Sequence, residues 1–389
     1  LILHQHFNTP EDGGAVRSYY LAKALVDRDI AVVVITGYGG ATYQVRNVEG
    51  IEVHYLPIQY NNRFGFYKRS VSFMRYVRQS LQIAMGLRDV AVCYAISVPL
   101  TVGLTALWLK ARRKLPFIFE VGDLWPDAPI ELGFIKNYFF KQALYSLERF
   151  IYRKAESVVA LSPMIREAIN QKVPGKQIYL IPNMSDTLFY KPEVKDPALE
   201  QKFGVSGKFV VSYIGAVGFA NGLDYYLECA RACQKAAVPV QFLLCGDGAM
   251  RAHLQAMAQK LALNNLSFIE FQPRSGVREV MNVTDAVFIC YRPAQILQTG
   301  SPNKYFDGLA AGKLIVVNFG GWIKAEIERH ACGVYTDPRD PSGIVSLLQP
   351  FVTDQALLAA YGGRARQLAE GSYSRDLLGD AFAAIFRSR

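Results

Sequence analysis

Short apolar runs recur along the chain, separated by longer amphipathic stretches. In the first half these runs are Leu1-Ile2-Leu3, residues 31–36, Ile51 to Leu56, Val90 to Tyr94, Phe117 to Val121, Val158 to Ser162 and Ile178 to Ile181. Each is short and rich in β-branched or aromatic residues, which predicts strands. The stretches between them carry apolar residues at helical spacing: Ala15 to Val26, a helix ending at Arg113, and Phe134 to Ala155. A second series follows, with strands from Phe209, Val240 to Cys245, Leu266 to Phe271, Ala286 to Tyr291 and Leu314 to Val317. Helices over 223–235, 250–262, 276–282, 324–329 and 341–348 alternate with them. Strand–helix alternation predicts an α/β fold with parallel, doubly covered sheets. The polar stretch Lys191-Pro192-Glu193-Val194-Lys195-Asp196-Pro197 reads as a linker. The expected domains are 1–188 and 189–373, with a final helix over 374–389.

Length agrees with two domains, since 389 residues exceed one ordinary core. The net charge is +10, mostly gathered before residue 190. Such a balance faces nucleic acid, an anionic membrane or a phosphorylated substrate, or is simply a solvated basic face. The basic residues form no nucleic-acid-binding motif, so nucleic acid is not expected. Two stretches mix bases with aromatics at helical spacing, residues 63–78 and 134–155. Either they pack on a core with arginines outside, or they lie on an anionic bilayer. The six cysteines form no CxxC pair and the five histidines no metal-spaced group, so buried thiols in a reducing cytosol are expected. There is no signal peptide and no charge-free apolar run of ~18 residues, so no spanning helix is expected. The chain opens inside a strand pattern, and its natural start is expected to lie earlier.

The chemistry gathers in loops that follow strands. Ser301-Pro302-Asn303-Lys304 opens a helix that runs to Gly312. Ser301 suits an N-cap, Pro302 the first helical position and Gly312 the C-terminal stop. A helix start offers free N–H groups and the positive end of a dipole, an anion site with Lys304 beside it. Asp307 stands one turn further in, within reach of hydroxyls next to a bound phosphate. The plain alternative is a well-capped helix with a surface lysine. Near the N-terminus, Gly13-Gly14 follows the first strand without a GxGxxG fingerprint, so it is a close-approach loop or only a turn. The strand Phe117 to Val121 leads into Gly122-Asp123-Leu124-Trp125-Pro126-Asp127. Ligands of open α/β sheets bind at this edge. Asp123, Trp125 and Asp127 are therefore candidates, against the plain readings of turn, plug and helix cap.

Taken together these pieces resemble the family-4 retaining glycosyltransferases of the GT-B fold. The motifs are Gly13-Gly14 with Arg17, Asp123-Leu124-Trp125-Pro126, Leu161-Ser162-Pro163, Ile181-Pro182-Asn183, Gly246-Asp247-Gly248, and Ser301-Pro302-Asn303-Lys304 with Ala310-Ala311-Gly312. They stand in the family's order along nearly the whole chain, and the combination is specific where no single piece is. The chain looks closest to the bacterial subgroup adding N-acetylated amino sugars during O-antigen or capsule assembly.

The resemblance implies two Rossmann-like domains facing across a cleft, with the C-terminal helix crossing back to the first. It implies a nucleotide-sugar donor, UDP-linked, held mainly by the second domain. Ser301, Pro302, Asn303 and Lys304 would meet the diphosphate and Asp307 the ribose. Gly215, Gly246, Gln272 and Pro273 would line the base side. Gly13, Gly14 and Arg17 would approach from the first domain. Asp123, with Lys304 and Asp307, would be catalytic, and Asp123, Trp125 and Asp127 would face the acceptor. That acceptor would be lipid-linked or an oligosaccharide, at the inner face of the cytoplasmic membrane. No cofactor and no metal are expected, the lysine and the helix dipole sufficing. The sequence also departs from the family's pattern. The first of its two acidic residues, separated by seven others, falls on Thr299, its Arg and Lys pair is absent from residues 216–222, and Asn221 stands where a lysine is common. Two other readings follow from these gaps: a nucleotide-sugar epimerase of the same fold, or an inactive nucleotide-binding partner subunit.

Overall fold

The computed structural model describes residues 1–11, 14, 16–60 and 64–387. The chain divides into two α/β units. The first comprises Leu1–Pro182, Thr299–Ser301 and the C-terminal stretch from Asp376; the second comprises Asn183–Gln298 and Pro302–Arg375. The change-over therefore falls at Pro182 rather than at 188, and the return at Asp376 rather than at 374.

The first unit holds β1 (Ile2–Leu3), β2 (Val33–Tyr38), β3 (Gln44–Val48), β4 (Ile51–Pro57), β5 (Cys93–Ser97), β6 (Phe117–Val121), β7 (Ser157–Ala160) and β8 (Ile178–Leu180). They form one sheet in the order β3-β4-β2-β1-β5-β6-β7-β8. The pairing is parallel except for the antiparallel β3–β4 edge. Strands β5, β6 and β7 are buried at every residue, Glu120 included, as central strands covered on both faces require. The sheet winds outward in both directions from the β1–β5 boundary, which makes that boundary a topological switch point. The strand β3 was not predicted, because Gln44-Val45-Arg46-Asn47-Val48 is polar and lies exposed on the sheet's edge. Its place is set by backbone pairing with β4, as edge strands allow.

The helices of this unit start where their caps dictate. The expected 134–155 helix runs Tyr138–Lys154, because the Asn137 side chain accepts the Phe140 N–H at 2.9 Å. In the C-terminal stretch Phe382 is fully buried and its ring lies 4.9 Å from that of Tyr94 on β5.

The second unit holds β9 (Phe209–Ile214), β10 (Val240–Cys245), β11 (Leu266–Ile269), β12 (Ala286–Ile289), β13 (Leu314–Val317) and β14 (Gly333–Tyr335). The order is β11-β10-β9-β12-β13-β14, all parallel. Its core lies between the sheet and the helices Asp224–Lys235 and Ile344–Thr353, around Tyr226, Phe242, Phe288 and Leu348. The switch point falls between β9 and β12. Among the described residues no single helix is long and apolar enough to cross a membrane. One helix pair, Pro341–Thr353 with Gln355–Tyr373, passes on composition but is bent by 99°. It carries Ile344, Leu348 and Phe351 into the second core.

Candidate functional site

In the second unit the carboxyl ends of β9 and β10 lie side by side, β9 bordering the switch point, and each is followed by glycine. Gly215 has φ +143° and Gly246 φ +142°, backbone conformations that a side chain rarely adopts. A Cβ on Gly246 would stand 1.9 Å from the Gly215 carbonyl oxygen, so only glycine lets the two strand exits close up. A Cβ on Gly215 would stand 3.3 Å from Lys304 Nζ. The glycines thus clear the space in which the lysine head sits.

Lys304 belongs to the helix Asn303–Ala310, which connects β12 to β13. The helix begins one residue later than an N-cap at Ser301 would have it. Pro302 occupies the N-cap position with ψ 131°, and no side chain caps the helix. The cause is backbone geometry: Pro302 is extended, and its carbonyl already accepts the Tyr305 N–H at 3.0 Å. Ser301, almost fully buried, precedes the helix instead of capping it. Asn303, exposed, takes the first helical position. The C-terminal end is as read. Gly312 has φ +63°, and its N–H reaches the Leu309 carbonyl at 3.0 Å.

Lys304 donates to the Tyr213 hydroxyl at 2.8 Å, and its ammonium lies 4.0 Å from that ring's centre. Among the described residues it has no carboxylate partner. Burial without a counter-charge pulls its pKa down to about 7. Asp307, one turn further on, is pushed up to about 7 by burial, against the pull of Arg274 and with the repulsion of Asp186. Arg274 itself forms an ion pair with Asp186 and lies 3.9 Å over the Phe189 ring. A half-buried ammonium and carboxyl one turn apart, both titrating near neutrality, are poised for a charged, hydroxylated ligand.

Other strand exits add to this edge. Gln272 is half-buried after β11, and Pro273 precedes the helix Arg274–Val283. Arg251, nearly buried, donates to the Gly246 carbonyl, to the Ile269 carbonyl at 3.1 Å and to Glu270 at 2.9 Å. It therefore ties the ends of β10 and β11 together. The loop after Gly215, which lacks cations of its own, turns Asn221 inward onto the Gly218 N–H at 3.2 Å. A cation reaches this loop from the β12 exit: Arg292 stacks 3.7 Å over Phe219 and donates to its carbonyl at 2.8 Å. Tyr213, Arg251, Arg274 and Arg292 were all missed in the sequence, since none belongs to a loop motif.

The first unit places its candidates differently. Gly13 lies outside the described residues; Gly14 is exposed with φ +78°. Arg17 is engaged elsewhere than at a phosphate. It forms a bidentate pair with buried Glu120 at 3.1 and 2.9 Å and donates to the carbonyls of Ile181, at 2.8 Å, and Pro182. A guanidinium has five N–H donors, so little remains for a ligand. Asp127 is likewise committed: Lys172 bridges it to fully buried Glu148. Asp123, at the β6 exit, is exposed and has no such partner among the described residues. The dense protein around it still raises its pKa above the ordinary carboxylate value. Trp125 is half-buried beside it in the same loop. The Thr299 carbonyl accepts from the Ser162 hydroxyl at 2.5 Å, so its backbone helps to hold the turn before Ser301.

Two largely parallel sheets, each with its loop chemistry at the carboxyl edge, and an anion-seeking lysine at a helix start define an open-sheet α/β protein with a candidate anion site. Comparison with known families narrows this. Residues 12–184 match the glycosyl transferase 4-like domain and residues 195–368 the glycosyl transferases group 1. The chain belongs to the group 1 glycosyltransferases and has the GT-B fold.

The alpha-D-kanosaminyltransferase of Streptomyces kanamyceticus is 20% identical over 245 residues. That match covers 62% of this chain and 62% of the relative's own length. The Anabaena protein HepE, solved in complex with UDP-glucose, superposes with a TM-score of 0.70 at 17% identity, covering 100% of this chain and 99% of its own. WaaG, a glycosyltransferase involved in lipopolysaccharide biosynthesis, superposes with a TM-score of 0.70 at 14% identity, covering 100% of both chains.

Proposed function

We propose that this protein transfers a glycosyl group, with retention at the anomeric carbon, from a UDP-sugar to a saccharide or lipid-linked acceptor in the assembly of a surface polysaccharide. The observation that carries the reading is Lys304. It is a half-buried ammonium with no carboxylate partner among the described residues, at a helix start and against the glycine exits of β9 and β10. Negative charge builds on the departing diphosphate oxygen as the C1–O bond breaks. Lys304 and the helix N–H groups stabilise it, and the diphosphate takes the acceptor's proton as the new glycosidic bond forms on the same face. Asp307 binds the ribose hydroxyls, Gly246 and Gln272 flank the base, and Asp123 faces the acceptor. Ammonium and helix dipole serve here without a metal. The UDP-glucose held by HepE supports a UDP-linked donor, and WaaG's part in lipopolysaccharide biosynthesis supports the acceptor class. The kanosaminyl group of the curated relative supports an amino sugar.

The acceptor side carries its own physical support. On the helix Tyr138–Lys154, Tyr138, Phe139, Phe140 and Phe150 are exposed, Phe139 at 81%. Phe134 is exposed just before it, and Lys136, Arg153 and Lys154 stand among them. The helix Phe66–Gly86 exposes Tyr67 and Met74 with Lys68, Arg75 and Arg78. Aromatics among bases suit the headgroup level of an anionic leaflet, where a lipid-linked acceptor resides.

The deciding experiment incubates the protein with UDP-sugars, with and without lipid-linked acceptors, and follows UDP release and the anomeric configuration of the product by NMR. Acceptor-dependent release with retention supports the reading. An epimerised donor without acceptor, or no release with any donor, would end it. Flotation with anionic and neutral vesicles tests the membrane contact separately.

A further inference from the structure

Tyr213 lies on β9, is fully buried, and has no place in any loop motif. Its ring packs in the second core 6.2 Å from that of Tyr226, a task phenylalanine would do as well. The hydroxyl is what needs an explanation, since a buried phenol must find partners. Its proton goes to the Ala216 carbonyl at 2.6 Å. Its oxygen therefore presents a lone pair to Lys304 Nζ at 2.8 Å, and the ring face lies under the same ammonium at 4.0 Å. The result is a chain from the Ala216 carbonyl through the phenol to the lysine head, which pins that head over Gly215.

We propose that Tyr213 is the positioning residue for Lys304, fixing the ammonium at the β9 exit so that its remaining N–H donors face the donor's diphosphate. The loop 216–222 holds no lysine or arginine of its own. One well-placed ammonium must then do more, and a flexible lysine fixed by an acceptor and a ring face loses less freedom on binding. The titratable groups facing the lysine are Tyr213 from β9 and the Cys290 thiol just after β12, which burial keeps neutral. Nothing anionic competes for it among them. The phenol oxygen favours the charged form of the lysine, against the burial that disfavours it.

This inference rests on the proposed diphosphate site, and the test separates the two. UDP affinity is measured by calorimetry for wild type, Tyr213→Phe, Lys304→Met and the double variant. Tyr213→Phe is expected to weaken UDP ~10-fold, the usual effect of losing a hydrogen bond to a charged group. It is also expected to move the alkaline limb of the kcat/KM profile to lower pH. In the Lys304→Met background the same change is expected to do almost nothing. Wild-type affinity in Tyr213→Phe would overturn the inference alone. So would an undiminished effect in the Lys304→Met background, or loss of the fold, because either gives the hydroxyl a purely structural role. Wild-type affinity in Lys304→Met would instead overturn the diphosphate site itself.

Discussion

Replacing Lys304 by methionine tests the site through protons as well as through affinity. In the free protein burial pulls the Lys304 pKa from 10.5 to about 7. At pH 8 about nine-tenths of the molecules then carry a neutral amine. A bound diphosphate restores the ammonium, so UDP binding at pH 8 should take up roughly 0.9 proton. Affinity should fall about tenfold per pH unit above 7, because each unit makes the charged form rarer. Below pH 7 the lysine is already charged and the dependence levels off. Asp307 titrates in the same range and contributes its own proton change. The methionine variant removes the lysine's share and leaves that of Asp307, so the difference between the two proteins isolates Lys304. The charge-assisted hydrogen bond it supplies is worth roughly 1.5–3 kcal/mol, so the variant should bind UDP about 10- to 100-fold more weakly at pH 6. The assay is calorimetry in pairs of buffers with different ionisation heats, from pH 6 to 9. Equal proton uptake in wild type and Lys304→Met, or UDP affinity unchanged by the substitution, would refute the reasoning.

Gly246→Ala places a methyl 1.9 Å from the Gly215 carbonyl, so it should cost roughly 2–3 kcal/mol in a urea titration and weaken UDP binding as the strand exits part. Asp307→Asn resembles the protonated carboxyl, whose pKa stands at about 7. The donor KM should therefore change little at pH 6 and rise about tenfold at pH 8. The folded pKa lies above the unfolded one, so wild type loses stability as pH rises from ~4 to ~7, and the asparagine variant should melt higher than wild type at pH 8. Arg17→Met strands buried Glu120 and should cost about 3–5 kcal/mol of stability, with UDP affinity unchanged at temperatures where the variant is folded. Asp123→Asn should lower acceptor-dependent turnover at least tenfold while UDP still binds normally, read by coupled UDP release and by calorimetry.

The fold was legible because parallel sheets covered on both faces demand mainly apolar strands, and Phe209–Ile214, Val240–Cys245 and Leu314–Val317 have that pattern, broken only by Ser212 and Gln241. The strand Gln44–Val48 was not legible, since an exposed edge is held by backbone pairing and leaves no apolar signature. The start of the helix at Asn303 was misread by one residue, because Ser301 before Pro302 fits an N-cap equally well and only the extended Pro302 backbone decides. Gly215 and Gly246 were legible only as donor-side positions implied by the family resemblance. What they make room for, one strand exit against another and a lysine head, was not.

Charged residues divide by a rule that local sequence cannot express. Arg17, Asp127 and Lys304 all stand beside plausible ligand loops, yet two of them are satisfied within the fold. Glu120, 103 positions from Arg17, and Lys172, 45 positions from Asp127, neutralise them. Lys304 also finds a distant partner, Tyr213, 91 positions away, but it is a phenol and brings no charge. A buried ion that has met its counter-ion is held by the protein and has little left for a ligand. One met only by a hydroxyl and a ring face retains its demand for an anion, and its pKa falls until an anion arrives. That unmet demand distinguishes Lys304 from Arg17 at similar burial. It is also why the proton taken up on UDP binding measures function here, where the affinity of a residue such as Arg17 for its own carboxylate would measure only stability.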